Sequence, residues 1–218
     1  MATSSYPIIL TDLATARCVV VGGGQVAERK VAGLIAAGAR PLVISPVLTP
    51  TLAAWRDAGQ LDQLPRRFKE DDLAGAVLVI AATDERATNA RIAVEARRCG
   101  VLVNVADDPG AGSFHTVATL RRGALLLTVS TGGSSPALAA RLRSELAGRY
   151  GPEYTRVLSF AAALRDLPES RLPGALRDAL LAWLCSEQAL GWLREGSDDL
   201  VAAVIQGALG PQRAEVAA

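Results

Sequence analysis

The chain has 218 residues, of which 50% are hydrophobic and 21% charged, so it is long enough to bury a substantial core. Twenty-three Lys and Arg residues against 22 Asp and Glu leave a net charge of +1, which argues against nucleic-acid and membrane-surface binders. The three scattered cysteines form no CxxC motif, so we expect no disulfide framework, no cysteine metal site and a reducing cytoplasmic location.

The N-terminal residues and the longest apolar runs bear on targeting. No basic region precedes an apolar stretch at the N-terminus, and the apolar runs are far shorter than the roughly 20 residues that a membrane span needs. We therefore expect a soluble chain with no secretory signal.

Short apolar runs alternate with helical patterns over the first hundred residues. The predicted strands cover residues 17–21, 41–45, 63–68, 76–82 and 101–106. The predicted helices follow the glycines near residue 24 and cover residues 50–58 and 86–98. Strands that are apolar on both faces and alternate with helices indicate a parallel sheet covered on both sides. The pattern predicts an α/β fold of Rossmann type over residues 1–112.

The pattern changes after Asp107. Two β-type runs, 113–119 and 124–130, are separated by residues 120–123 and predict a hairpin. Ser135 is then the natural N-cap of a helix that begins at Pro136. The remainder is helical in pattern, with a break at Pro173 and a frayed end from Gly210 onward. We therefore expect a hairpin and helix region over 113–150 and a helical region over 151–218.

The clearest local motif is a GxGxxA sequence between the first strand and the first helix. Gly22 permits a tight turn, Gly24 permits close approach of a pyrophosphate, and Ala27 permits close packing of the helix. The motif favours dinucleotide binding, and a merely structural turn is the alternative. The acidic residue expected at the end of the second strand is replaced by Ser45, so the motif does not decide between NAD and NADP. We expect the backbone and Ser45 to contact adenosine.

Polar residues also follow the fourth and fifth predicted strands, at the edge where open α/β sheets bind ligands. Thr83 and Asp84 follow the fourth strand and either line the ligand or cap the next helix. Asp107 and Asp108 follow the fifth strand, where acidic residues before a proline are also common turn formers. Residue types alone leave both interpretations open.

Four motifs occur in order over residues 6–150: VVGGGxVAxRK, AATDxxxxN, NVxDxPxxxSF and VSTGGxSPxLAxxLR. Together they resemble the precorrin-2 dehydrogenase and sirohydrochlorin ferrochelatase family, which also forms the N-terminal part of siroheme synthases. The resemblance implies a Rossmann domain that binds NAD, a dimerisation region over 113–150, a homodimer and a C-terminal region that helps to enclose a tetrapyrrole. No methyltransferase domain follows before Ala218, so we expect the methylation steps to belong to another protein.

The resemblance also implies site residues. The catalytic aspartate of the NVxD motif corresponds to Asp107, whereas Asp108 lies outside the motif and is interpreted as a turn residue. The family's cofactor positions correspond to Gln25, Val26, Pro46 and Val47, and we add Gly22, Gly24, Ser45 and Thr83 as cofactor-binding candidates.

The tetrapyrrole bears many carboxylates, which a nearly neutral chain must bind through local donors. Our candidates for substrate binding are Ser113, His115, Thr131, Gly132 and Arg141. Arginines on a helix flank are also typical of a solvated surface, and a lone histidine more often makes a structural hydrogen bond than binds metal. One histidine and three scattered cysteines compose no three-residue metal site, so we expect Fe²⁺ to be a transient substrate and not a bound cofactor.

The residues after Ser113 and Phe114 depart from the family pattern. Relatives commonly carry a proline with small residues there, whereas this chain has His115 to Ala118, so the wall of the tetrapyrrole cleft is expected to differ. Three hypotheses stay open. The chain is a precorrin-2 dehydrogenase that also inserts Fe²⁺, an enzyme that is a dehydrogenase alone or whose chelation uses Co²⁺ as the physiological metal, or a Rossmann module that senses NAD without turnover.

Overall fold

The computed structural model describes residues 5–210, so the part of the predicted frayed end beyond Gly210 lies outside the described residues. The chain divides into two compact units, one ending at Thr116 and one beginning at Val117. The predicted division after residue 112 therefore falls inside the first unit. The regions predicted separately as 113–150 and 151–218 lie, from Val117 onward, in a single second unit.

The first unit contains a parallel sheet of five strands in the order β3-β2-β1-β4-β5. The strands are β1 (Cys18–Val21), β2 (Leu42–Ile44), β3 (Asp62–Leu64), β4 (Leu78–Ala81) and β5 (Leu102–Val105). The helices are α1 (Gln25–Ala36), α2 (Pro50–Asp57) and α3 (Arg86–Arg98), with short 3₁₀ turns at Glu70–Leu73 and Pro109–Ala111. The predicted α/β sheet is confirmed, because strand order 3-2-1-4-5 is that of the doubly wound dinucleotide-binding folds.

Both faces of this sheet are buried. Val20, Val43 and Ile80 face one side and pack in a cluster with Ala27, Val31 and Leu34 of α1. Their neighbours along the strands face the other side, where the cluster includes α3. Because successive strand residues point to opposite faces, a strand buried on both sides reads as a continuous apolar run, as the sequence of β1 does.

The second unit begins with the hairpin of β6 (Ala118–Arg122) and β7 (Leu125–Val129). Five helices follow: α4 (Pro136–Arg149), α5 (Glu153–Asp166), α6 (Gly174–Leu184), α7 (Glu187–Arg194) and α8 (Asp198–Leu209). Leucines and valines of α5 to α8 form the core of this unit. Among residues 5–210, no helix is both long enough and apolar enough to cross a bilayer.

The predicted strand over residues 113–119 is wrong for its first five residues, and the hairpin begins at Ala118. The reason is that this segment is bonded to β5: the Ser113 and Phe114 N–H groups donate to the Val103 carbonyl, at 2.7 and 3.3 Å. Residues 120–122, predicted as part of the turn, belong to β6, and Arg122 pairs directly with Leu125. The turn is only two residues long because Gly123 adopts a φ of +57°.

Candidate active site

The glycine loop after β1 is packed against the ends of two neighbouring strands. Gly22 has a φ of +122°, and a Cβ there would lie 2.2 Å from the carbonyl oxygen of Ala82. A Cβ on Gly23 would lie 1.9 Å from the carbonyl oxygen of Val47. Any side chain at either position would collide with backbone, so packing requires glycine at both positions, and at Gly22 the positive φ requires it as well.

Gly24 differs from its two neighbours because it faces open space. It is the N-cap of α1, with extended φ and ψ, and among the described residues no side chain caps it and no heavy atom lies within 4 Å of the position that a Cβ would take. The first N–H groups of a helix lack partners within the helix and attract anions. The opening above Gly24 and this helix N-terminus therefore suit the pyrophosphate of a dinucleotide.

Four exposed residues lie either directly after Gly24 in the chain or on the loop after β2. Gln25 is exposed, Val26 is 42% exposed and Val47 is 75% exposed, although both valines are apolar. Pro46 is also exposed. The loop after β2 is tied to the glycine loop, since the Thr49 N–H donates to the carbonyl of Gly23 at 2.9 Å.

Ser45, predicted to contact adenosine, makes a hydrogen bond within its own loop. Its side chain is buried, and its hydroxyl donates to the carbonyl of Val47 at 2.7 Å. The hydroxyl proton is therefore used to shape the loop after β2. This use of Ser45 leaves the exposed Pro46 and Val47 as the accessible part of that loop.

A network of side-chain hydrogen bonds connects the ends of β4 and β5. Asn89, in the first turn of α3, accepts from the Thr83 N–H at 3.2 Å and from the Thr83 hydroxyl at 2.7 Å. Its Nδ2 donates to the Thr83 carbonyl at 3.0 Å and to Asp107 Oδ1 at 2.8 Å. Thr83 and Asp107, two predicted site residues 24 positions apart, are thus joined through a buried amide.

Asn89 was not among the predicted site residues. Asn89 is the last residue of the AATDxxxxN motif, but no role was predicted for it from the sequence. The one available signal was its spacing, because a polar residue in the first turn of a helix after a strand lies at the ligand-binding edge of the sheet.

Asp107 is a partly exposed carboxylate after β5, at the same edge of the sheet as exposed Asp84 after β4. Its side chain is 34% exposed, and Arg86 Nε lies 3.6 Å from Oδ2. Arg86 is 86% exposed, so this ion pair is a weak, solvated one. Asp108 accepts from the Ala111 N–H at 3.3 Å and caps the 3₁₀ turn, as expected for a turn residue.

The segment after that turn contains two predicted substrate contacts. The Ser113 hydroxyl accepts from the Val103 N–H at 2.8 Å and so secures the segment to β5, whereas His115 is exposed. Nearby, Lys30 of α1 donates to the Thr116 hydroxyl at 2.5 Å, and burial together with neighbouring Arg29 lowers the pKa of Lys30.

The remaining predicted residues lie in the second unit. The Thr131 hydroxyl accepts from the Ser135 N–H and donates to the Ser135 carbonyl, both at 3.1 Å, and Gly132 has a φ of +60°. Ser135 caps α4 by accepting from the Leu138 N–H at 3.2 Å, as predicted. Arg141 is 78% exposed and pairs with Glu145 at 2.8 Å, so its charge is partly compensated on the helix surface.

Comparison with known families covers most of the chain. Residues 9–118 match a family model described as "Putative NAD(P)-binding", and residues 122–149 match the model of the sirohaem biosynthesis protein central region. The chain is similar to the siroheme synthase of Chromobacterium violaceum, with 40% identity over 168 residues, 77% of this chain and 36% of that protein. It is 35% identical to the siroheme synthase of Nitrosococcus oceani over 217 residues, 97% of this chain and 46% of that one.

A solved structure is similar over most of the chain. SirC, precorrin-2 dehydrogenase, superposes with a TM-score of 0.69 and 27% identity, covering 91% of this chain and all of that one. The chain spans about a third to a half of the length of the siroheme synthases that it matches. The family model and this structure support NAD as the cofactor. The chain therefore belongs to the NAD(P)-binding family of sirohaem biosynthesis proteins, the family that its four motifs resemble.

Proposed function

We propose that the chain oxidises precorrin-2 to sirohydrochlorin with NAD, in the biosynthesis of siroheme. The observation that carries the proposal is the likeness to SirC, precorrin-2 dehydrogenase, because that whole protein is covered. The open helix N-terminus at Gly24 supports it independently, since it suits a dinucleotide pyrophosphate. An exposed carboxylate, Asp107, follows β5 at the edge of the sheet where such folds bind ligands.

The reaction removes a hydride and a proton from the tetrapyrrole. NAD, when bound, supplies the hydride acceptor. Asp107 is the base that takes the proton, and it does so at Oδ2, because Oδ1 is already held by Asn89. The N–H groups at Gly24 and the start of α1 hold the pyrophosphate.

The cofactor and substrate contacts follow from exposure. We assign Gln25, Val26, Pro46 and Val47 to the cofactor, since all four are exposed beside the glycine loop or on the loop tied to it. In the first unit, exposed His115 is a proposed contact for substrate carboxylates. In the second unit, the turn at Thr131 and Gly132 and exposed Arg141 are proposed for the same chemistry.

Iron insertion into sirohydrochlorin is the second candidate activity. The observation that favours it is that the similar full-length relatives are siroheme synthases. Fe²⁺ would then be a substrate, and Asp107 would accept protons released by the pyrrole nitrogens.

We also propose that the reaction takes place in the cytoplasm, because the three cysteines are free thiols.

We further propose a homodimer that uses the region of the hairpin and α4. Leu138 and Leu142 lie one turn apart on α4, and they are 47% and 36% exposed. An apolar pair at this spacing on one helix face is typical of a surface that packs against a partner. Sedimentation of the Leu138→Glu, Leu142→Glu double variant tests this: we expect a monomer, and a wild type that is itself monomeric would contradict the proposal.

The activity is tested by incubating the purified chain with precorrin-2 and NAD⁺ without oxygen. We expect NADH absorbance and the sirohydrochlorin spectrum to rise together, and then a metal-dependent spectral change on addition of Fe²⁺. NADH formation without accelerated metalation would show that the chain has the dehydrogenase activity but not the chelatase activity. Failure to form NADH would favour the NAD-sensing module.

The role of Asp107 is tested with Asp107→Asn, and Asp108→Asn is the matched control. We expect the first variant to lose about 100-fold or more in kcat while still binding NAD⁺, the scale of a lost general base. The control changes only the cap of a surface turn, so its kcat should stay near that of the wild type. Equal effects of the two substitutions would remove Asp107 from the mechanism.

A further inference from the structure

We propose that Asn89 is a positioning residue for the reaction, which holds the carboxylate of Asp107 with one defined oxygen directed to the substrate. The inference rests on the proposed function, because it assigns the base of that reaction a fixed orientation. It is carried by the hydrogen bonds of a buried amide that contacts Asp107 but is itself only 1% exposed.

The orientation of the Asn89 amide follows from its partners. A backbone N–H only donates, so the atom that faces the Thr83 N–H must be the amide oxygen. The amide nitrogen then points to the Thr83 carbonyl and to Asp107 Oδ1, both of which accept. All of the amide's donors and acceptors are thereby used, and a flipped amide would place a donor against the Thr83 N–H.

This arrangement makes the two oxygens of Asp107 unequal. Oδ1 accepts a hydrogen bond at 2.8 Å from a buried donor that has no other position available. Oδ2 faces Arg86 at 3.6 Å, and that side chain is largely in solvent. Oδ2 is therefore the oxygen that is free to take a proton, and Asn89 fixes where it lies.

Position matters here because the proton and the hydride leave the same substrate. A base on the loop after β5 would otherwise rotate freely about its side-chain bonds, and a displacement of about 1 Å in such a group costs up to about 100-fold in rate. Asn89 is held by α3 and by the residues that follow β4, and its one hydrogen bond to Asp107 restrains the carboxylate on this loop.

The test compares Asn89→Leu, which removes the donor at similar size, with Thr83→Val. The second variant removes one of the bonds that orient the amide and also the bond that the Thr83 hydroxyl accepts from the Glu85 N–H at 3.2 Å. Thr88→Val is the matched control, because it makes the same change beside Asn89, and its hydroxyl donates to the Glu85 carboxylate at 2.8 Å and not to the Asn89 amide or to Asp107. The assay is precorrin-2 oxidation by NAD⁺, with kcat and KM determined separately, together with calorimetric titration of NAD⁺ and thermal unfolding.

We expect Asn89→Leu to lower kcat by about 10- to 100-fold, Thr83→Val by a smaller factor, and Thr88→Val not at all. KM for precorrin-2 and Kd for NAD⁺ should change by less than about threefold in Asn89→Leu, because the amide is buried, with Asn89 only 1% exposed. Combined with Asp107→Asn, Asn89→Leu should have no further effect on kcat, since it acts only through that carboxylate. If Asn89→Leu does not fold, Thr83→Val against Thr88→Val decides: because Thr83 is itself a cofactor-binding candidate, a lower kcat supports the inference only with Kd for NAD⁺ unchanged, and a kcat equal to that of Thr88→Val or a raised Kd overturns it.

The outcomes separate the inference from the proposed function. An active wild type with an equally active, folded Asn89→Leu variant overturns the inference alone. The same follows if the losses from Asn89→Leu and Asp107→Asn multiply, because Asn89 would then act independently of the carboxylate. A wild type that does not oxidise precorrin-2 with NAD⁺ overturns the proposed function and, with it, the inference.

Discussion

Gly23 and Gly24, two glycines of the loop after β1, should respond differently to the same added methyl group. In Gly23→Ala the new Cβ would lie 1.9 Å from the Val47 carbonyl oxygen, where an ordinary contact begins at 3.4 Å. The loop must open by about 1.5 Å, which strains the packing and breaks the hydrogen bond from Thr49 to the Gly23 carbonyl. Overpacking and one lost hydrogen bond together cost about 3 kcal/mol of unfolding free energy. For a chain of this length that lowers Tm by about 6–12 °C.

Gly24→Ala should leave stability nearly unchanged and weaken cofactor binding. Gly24 has φ −87° and ψ −173°, an extended conformation open to any residue, and its Cβ would project into open space. The poorer N-cap and the lower entropy of the unfolded chain nearly cancel, so we expect a change within about 0.5 kcal/mol. The methyl group would occupy the place of the pyrophosphate, and we expect Kd for NAD⁺ to rise about tenfold or more, about 1.4 kcal/mol.

The assay is calorimetric titration of NAD⁺ together with thermal unfolding, for both variants and for Gly33→Ala. Gly33 lies inside α1 with open space around it, so alanine there should raise stability by up to about 1 kcal/mol and leave Kd unchanged. Wild-type affinity in Gly24→Ala would refute the assignment of this opening to the pyrophosphate. A wild-type Tm in Gly23→Ala would refute the packing argument.

Three further predictions concern stability, each measured by unfolding. The hydrogen bond from Arg98 lowers the pKa of Glu95 to about 2, below the unfolded value near 4.5, so Glu95 stabilises the fold above pH 4.5 and this contribution is lost as the pH falls toward 2. Glu95→Gln should remove that part of the acid dependence, and an unchanged pH profile would contradict the assignment. Gly123→Ala should destabilise the hairpin because its Cβ would lie 2.6 Å from Thr155 Cγ2. Adding Thr155→Ser removes that methyl group and should restore part of the lost stability. If nothing is restored, the whole cost comes from the positive φ at this position. Ser135→Ala should cost about 1 kcal/mol by removing the N-cap of α4, whereas Ser135→Asp should retain most of it.

Local features of the fold were predictable from the sequence. The helix predicted over residues 86–98 is observed with the same limits, and Ser135 caps α4 as expected. The glycine loop lies between β1 and α1, where the GxGxxA motif predicted it. These features depend on hydrophobic periodicity, on capping hydrogen bonds within one turn and on the φ angles that glycine permits, and all three act over a few residues.

The partners of polar side chains depended on the tertiary structure. Asn89 and Asp107 are 18 residues apart, and they meet because β4 and β5 are neighbours in the sheet. Ser113 begins a segment with the alternation of a strand, but its N–H and hydroxyl are used by β5, so it does not pair in the hairpin. Composition and periodicity determined which segments would be buried and whether each would be a helix or a strand. Only the packed sheet decided which hydrogen-bonding groups would face each other, because that choice is made between segments that are distant along the chain.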